Sequence, residues 1–191
     1  MEGSGRFKIA FIGSHGVGKT TLCYGLAARL KARDLAVEVV HEVARRCPLP
    51  INEATSIAAQ SWILHTQMAE ELAAQALYPV IVCDRSVLDN YVYLLLAAGR
   101  QESLEGMLAA WMAGYDLLVH VPIVDRPSPD GIRSPDPGFQ RAVDERLRRE
   151  VAERGLAALR LDPDDRGSWI DEVERAVWER LLPAQLPLPE A

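Results

Sequence analysis

The eight residues Gly13-Ser14-His15-Gly16-Val17-Gly18-Lys19-Thr20 restrict the fold of this chain more than any other stretch. They match G-x-x-x-x-G-K-[ST] at every fixed position. An apolar run, Phe7 to Ile12, precedes them and predicts a buried strand. A helix is predicted from Gly18 to Lys31, with Leu22, Leu26 and Leu30 four apart on one face. The glycines let the backbone curl so that several N–H groups face one anion, and the helix start adds its partial positive charge. Lys19 offers a point charge to the β- and γ-phosphates of a nucleoside triphosphate. The Thr20 hydroxyl suits Mg²⁺, which prefers oxygen ligands, and Thr21 is placed to bond the α-phosphate. Ser14, His15 and Val17 complete the loop, with His15 at a variable position. The expected ligands are Mg²⁺ with ATP or GTP.

Beyond the loop the pattern alternates strand and helix, which predicts a parallel sheet covered on both faces. The further strands are expected at Ala36 to His41, Pro79 to Asp84, Asp116 to Val121 and Ala158 to Leu161. A long helix capped by Asn52 is expected to reach about Leu77, with Ile57, Leu64, Met68 and Leu72 along its core stripe. Shorter helices fit 87–98 and 102–113. Asp136 and Pro137 suit an N-cap and first helical position, opening a charged helix to about Arg154. Trp169 to Leu182 reads as a terminal helix, and the tail 183–191 as frayed. There is no internal repeat, so 1–191 is expected to be a single domain.

Strand C-terminal ends converge on one rim of a parallel sheet, so Gly13, Glu42 and Asp84 should face one crevice. Asp84 is the natural acid to hold the waters around Mg²⁺; a cap for the following helix is the alternative. Arg85 either reaches a phosphate or the acceptor, or pairs with Asp84. Glu42 either takes a proton from an attacking hydroxyl or holds a metal-bound water, or else pairs with Arg45 or Arg46. The stretch Pro122 to Gly138 contains five prolines and is expected to form a mobile lid, about 122–140. Arg126 and Arg133 within it are candidates to balance the charge of a transferring phosphoryl; Arg141, Arg148 and Arg149 suit a solvated helix face. Gln60 and Gln67, seven apart on one helical face, could read an acceptor together with Trp62, His65 and Tyr91. Trp111, Trp169 and Trp178 suit packing.

A net charge of −6 argues against general nucleic-acid binding. The longest apolar run, Val92 to Ala98, is too short to cross a bilayer, and Met1 to Arg6 lacks the apolar core of a secretory signal. Cys23, Cys47 and Cys83 are far apart and suit buried thiols in a reducing compartment. A cytoplasmic protein with no membrane partner is expected; its oligomeric state is open, with a homodimer among the choices.

Gly13 to Thr21, His41-Glu42-Val43-Ala44-Arg45, the glutamines Gln60 and Gln67, Asp84-Arg85-Ser86 and Asp130-Gly131-Ile132-Arg133 together carry a resemblance over roughly residues 6–182. The sequence resembles the small P-loop family that includes the ribosylnicotinamide kinase domain of bacterial NAD-salvage proteins. That family is described as an AAA-type ATPase-like domain and lies near the deoxynucleoside and thymidylate kinases. The resemblance implies an α/β three-layer sandwich with a five-stranded parallel sheet, order 2-3-1-4-5, and a short lid. It implies that Glu42 and Arg45 face the phosphate acceptor, that Arg126 and Arg133 belong to the lid, and that the nucleobase lies near Asp162 to Gly167. Where the nicotinamide kinases carry an aromatic residue before Asp-Gly-x-Arg, this chain has Pro122 to Pro127, which argues against a nicotinamide ring sandwich. The expected activity is transfer of the γ-phosphoryl group of ATP to a nucleoside, nucleotide or similar hydroxyl acceptor. The alternative is a regulatory ATPase or GTPase switch that binds a protein partner.

Overall fold

Phe7–Ile12 (β1) is buried at all six positions, as a strand with helices on both faces must be. The computed structural model describes residues 6–125 and 134–181. Alternate side chains of β1 serve different cores. Phe7, Ile9 and Phe11 point to one side with Leu22, Leu26 and Leu30, while Ala10 and Ile12 point to the other with Leu64, Val92 and Leu147. This period of two splits the molecule into three layers.

The other strands are β2 (Val37–Val40), β3 (Val80–Asp84), β4 (Leu117–His120) and β5 (Ala158–Arg160). All pairings are parallel, in the order β2-β3-β1-β4-β5. The sheet therefore has the predicted order. Its register sets Phe11 opposite Asp84 and Val40 opposite Cys83. Gly13, Glu42 and Asp84 thus leave the sheet at the same rim, as the strand ends required.

Helix α1 (Lys19–Lys31) and α6 (Trp169–Leu181) cover one face; α2 (Ile57–Leu77), α3 (Val87–Ala98), α4 (Glu102–Met112) and α5 (Pro137–Glu153) belong to the other. Trp169 is buried, and Trp111 and Trp178 pack against the cores. Asp136 caps α5 as predicted, accepting a hydrogen bond from Gly138 N at 2.8 Å. Among the described residues no helix is long and apolar enough to cross a membrane.

Two expectations for α2 are corrected. Its cap is Ser56, whose hydroxyl accepts from Ala59 N, not Asn52. Asn52 instead opens a separate 3₁₀ turn, Asn52–Ala54, with φ 60°, a backbone region asparagine tolerates better than most residues. The core stripe is also rotated: Leu64 and Met68 are buried, but Ile57 and Leu72 are 54% and 57% exposed. Gln60, Gln67 and Glu71 occupy the buried arc in their place. Polar residues can sit there because each finds hydrogen-bond partners. Of the expected lid, Arg126 and Arg133 lie outside the described residues, as does the tail 183–191.

Candidate active site

The turn from β1 into α1 needs glycine for steric reasons. Gly13 has φ 146°, and a Cβ there would lie 2.6 Å from the Val121 carbonyl oxygen. Gly16 and Gly18 also have positive φ, 76° and 95°, and Gly18 stands at the N-cap of α1. The loop is anchored from behind. Gly13 N donates to Asp89 Oδ1 at 2.9 Å, the Ser14 hydroxyl donates to the Gln140 carbonyl at 2.8 Å, and Gln140 Nε2 donates to the His15 carbonyl at 2.9 Å. Asp89 simultaneously closes a capping box with Ser86 at the head of α3. One carboxylate therefore ties the phosphate loop to the turn after β3.

Lys19 is 6% exposed and folds back into the loop, donating to the carbonyls of Gly13 and Ser14 at 2.8 and 2.5 Å. Burial, then the neighbouring Arg85 guanidinium, lowers its pKa to about 8, although Asp89, Asp84 and Glu42 pull the other way. The Thr20 hydroxyl donates to Asp84 Oδ2 at 2.5 Å. A hydroxyl and a carboxylate oxygen brought together at the end of the loop fit a hard cation that shares its shell with phosphate and water. Among the described residues no group of three or more His, Cys, Asp or Glu side chains could hold a metal ion.

Arg85 follows Asp84 with φ 108°, a conformation unusual for a residue with a side chain. Its Nε donates to Glu42 Oε1 at 2.8 Å, and its guanidinium lies 5.2 Å from the centre of the Tyr93 ring. The ion pair with Asp84, the alternative reading of Arg85, is replaced by one with Glu42. Burial alone would lower the Arg85 pKa, but Tyr93, Glu42, Asp89 and Asp84 together raise it well above its ordinary value, so it stays charged. Arg45 Nε donates to Glu42 Oε2 at 2.9 Å, whereas Arg46 turns away to Glu70. Glu42 is thus held between two guanidinium groups and is itself 7% exposed.

Two clefts meet at this carboxylate. The first, of about 280 Å³, is lined by Gly16 to Thr21, Glu42, Arg45 and Asp84. The second, a narrow space of about 30 Å³, is walled by His15, Glu42, Arg45, Gln60, Arg85, Asn90 and Tyr93, with Ile51 and Ile63 as apolar surface. Gln60 reaches this second cleft, its amide donating to the Thr55 hydroxyl at 2.8 Å. Gln67 does not: it is fully buried and donates to Glu71. Tyr91 is buried in the core with its hydroxyl on Glu105, and the exposed His65 bonds its own helix at Ser61. Neither they nor Trp62 line the clefts. A third depression beside Gly18 and Thr21 is lined by Arg166 and Trp169, adjoining the predicted nucleobase loop.

Sequence reasoning missed Asn90, Tyr93, Asp89 and the role of Gln140. Asn90 and Tyr93 are three apart in a largely apolar helix, a signal that this face meets something polar. His15 stands at a variable position of the loop motif, yet it is 2% exposed, walls the second cleft and lies 3.2 Å from the Tyr93 hydroxyl. Gln140 leaves no comparable trace, because its partners, the Ser14 hydroxyl and the His15 carbonyl, are more than a hundred residues away.

Comparison with known proteins agrees with this geometry. A family described as an AAA domain matches residues 8–171. None of the curated proteins matches significantly. Among solved structures, deoxyadenosine kinase from M. mycoides with bound dATP superposes with a TM-score of 0.64 at 14% identity, covering 90% of this chain and 99% of that one. NadR protein in complex with NR superposes at 0.73 with 20% identity, covering 92% of this chain and 50% of that one. NadR in complex with NAD and AMP-PNP gives 0.72 and 20%, covering 97% and 51%. The present chain spans about half the length of both NadR chains. These likenesses establish a nucleoside-kinase-like P-loop fold. With its phosphate loop in place and the family model matched over most of its length, the chain belongs to this AAA-domain family of P-loop proteins.

Proposed function

We propose that this protein is an ATP-dependent small-molecule kinase, a single domain acting in the cytoplasm on a nucleoside, nucleotide or similar hydroxyl acceptor. One observation carries the reading: Glu42 belongs to the walls of both the phosphate cleft and the adjoining cleft. A carboxylate at that junction stands where an acceptor hydroxyl would meet a γ-phosphoryl group. The fold shared with deoxyadenosine kinase and NadR supports it.

In this reading Gly13 to Thr21 hold the triphosphate through backbone N–H groups, and Lys19 leaves its two carbonyl partners for the β- and γ-oxygens. Mg²⁺ held by Thr20 and Asp84 would neutralise charge developing on the phosphates. Glu42 orients the acceptor hydroxyl and takes its proton. The acceptor oxygen forms a bond to the γ-phosphorus as the bond to the β–γ bridging oxygen breaks, and ADP leaves with that electron pair. Arg85 and Arg45 hold Glu42 in place, and Arg85 adds positive charge beside the transferring group. Gln60, Asn90 and His15 face the acceptor, and the base of ATP or GTP lies beside Arg166.

Incubation with γ-labelled ATP, Mg²⁺ and a panel of nucleosides and nucleotides tests the reading. Label on one acceptor is expected. Label released only as inorganic phosphate, whatever is added, overturns the kinase in favour of a regulatory NTPase. Lys19→Ala is expected to abolish either activity.

A further inference from the structure

Behind the site, and touching none of its clefts, lies a charged group in an unusual place. Lys8 on β1 is 3% exposed and Glu71 on α2 is fully buried, and their side chains pair at 3.1 Å. Burying an ion pair is costly, and well-packed apolar side chains would often serve stability as well or better. Here the carboxylate is saturated with donors. Trp111 Nε1 approaches at 2.8 Å, the Tyr115 hydroxyl at 2.6 Å and Gln67 Nε2 at 2.9 Å. The Lys8 ammonium also lies 4.4 Å from the centre of the Tyr115 ring.

From this hub two arms reach one short piece of backbone. The Gln67 amide donates to the Arg85 carbonyl at 3.4 Å, and the Tyr115 hydroxyl accepts from Val87 N at 3.1 Å. These contacts bracket Ser86 and hold the turn after Asp84. The turn contains Arg85 in its positive-φ conformation, and such a conformation persists only where the surroundings over-determine it.

We propose that Glu71 and Tyr115 are positioning residues: the buried Lys8–Glu71 pair orients Gln67 and Tyr115, which clamp the Asp84–Arg85–Ser86 turn and so aim the Asp84 carboxylate at Thr20. The consequence for metal binding rests on the reading of Asp84 as the metal-side acid. The arrangement resembles the outer-shell support of a metal ligand, whose loss costs affinity without removing a ligand. Tyr115 is the informative position, since exchanging it for phenylalanine removes one oxygen and leaves the ring against Lys8.

The test measures Mn²⁺ affinity of the protein–AMP-PNP complex by electron paramagnetic resonance, together with AMP-PNP binding in the absence of metal. Asp84→Asn sets the full effect of losing the acid. Tyr115→Phe and Glu71→Gln are expected to weaken Mn²⁺ binding by roughly tenfold, with metal-free AMP-PNP binding unchanged. Val177→Ala, in the opposite core, destabilises the fold and is expected to leave Mn²⁺ affinity alone. Amide exchange at Val87 judges the clamp by itself and should accelerate in Tyr115→Phe. Wild-type exchange there, or wild-type Mn²⁺ affinity in Tyr115→Phe beside a weakened Asp84→Asn, overturns the proposal. Wild-type Mn²⁺ affinity in Asp84→Asn instead removes the metal reading of Asp84, and the exchange measurement still decides whether the clamp exists. Should Glu71→Gln fail to fold, Tyr115→Phe carries the test.

Discussion

Arg85 Nε lies 2.8 Å from Glu42 Oε1, joining residues just beyond the ends of β3 and β2 into a buried pair at the junction of two clefts. The pair makes Glu42 a fixed carboxylate instead of a swinging surface one. Glu42→Gln keeps the shape and an oxygen for Arg85 but loses the charge. We expect it to bind ATP normally and to transfer phosphoryl roughly 10²-fold more slowly. Steady-state rates with the acceptor from the panel check this, and unaltered turnover removes Glu42 as the base.

Lys19 makes nucleotide binding and stability depend on pH in opposite directions. Its folded pKa, about 8, lies below the ordinary 10.5. The unfolded chain therefore binds more protons between those values, so this group's unfavourable contribution is complete below about 8 and relieved as pH rises to 10.5. Triphosphate needs the charged form, so affinity should fall above pH 8. Binding at pH 8 should take up about half a proton. Calorimetry of AMP-PNP binding in buffers of different ionisation enthalpy reads the uptake directly, and a buffer-independent heat contradicts it.

Gly13 admits no side chain. With φ 146° and a carbonyl oxygen 2.6 Å from where Cβ would stand, Gly13→Ala must move the loop or the β4 end. We expect AMP-PNP affinity to drop by at least roughly tenfold, since the loop N–H groups lose their common focus. Circular dichroism should show the sheet intact. Wild-type affinity would mean the loop adapts at little cost.

Asp89 accepts from Gly13 N, Ser86 N and the Ser86 hydroxyl. Asp89→Ala orphans buried donors and breaks a capping box, at a cost of about 2–3 kcal/mol. That corresponds to a fall in Tm of roughly 4–12 °C for a chain of this size. Because one of those donors belongs to the phosphate loop, nucleotide affinity should fall as well. A Tm loss with wild-type affinity would confine Asp89 to capping α3.

The phosphate loop, the parallel sheet and the convergence of Gly13, Glu42 and Asp84 were legible because each comes from local order: an apolar run, a glycine pattern, and the geometry of strand ends. Helix α2 shows the limit. Its apolar residues suggested a stripe through Ile57 and Leu72, but burial followed Gln60, Gln67 and Glu71. A periodicity rule counts apolar residues and cannot know that a buried amide or carboxylate has partners waiting on other elements. Asn90 and Tyr93 left a faint trace, and Asp89 was hidden because its loop partner is 76 positions away.

By itself, the amino-acid sequence determined a phosphate-binding loop on a parallel α/β sheet, since glycine sterics, a lysine charge and helix-dipole direction act over a few neighbouring residues. Tertiary structure alone decided that Arg85 pairs with Glu42 and not with Asp84, that His15 walls a cleft, and that a buried lysine and glutamate stand behind the turn. Those outcomes depend on which side chains meet across β1, α2, α3 and α5. Such meetings are set by sheet order and register, and desolvation then decides which charges must find one another.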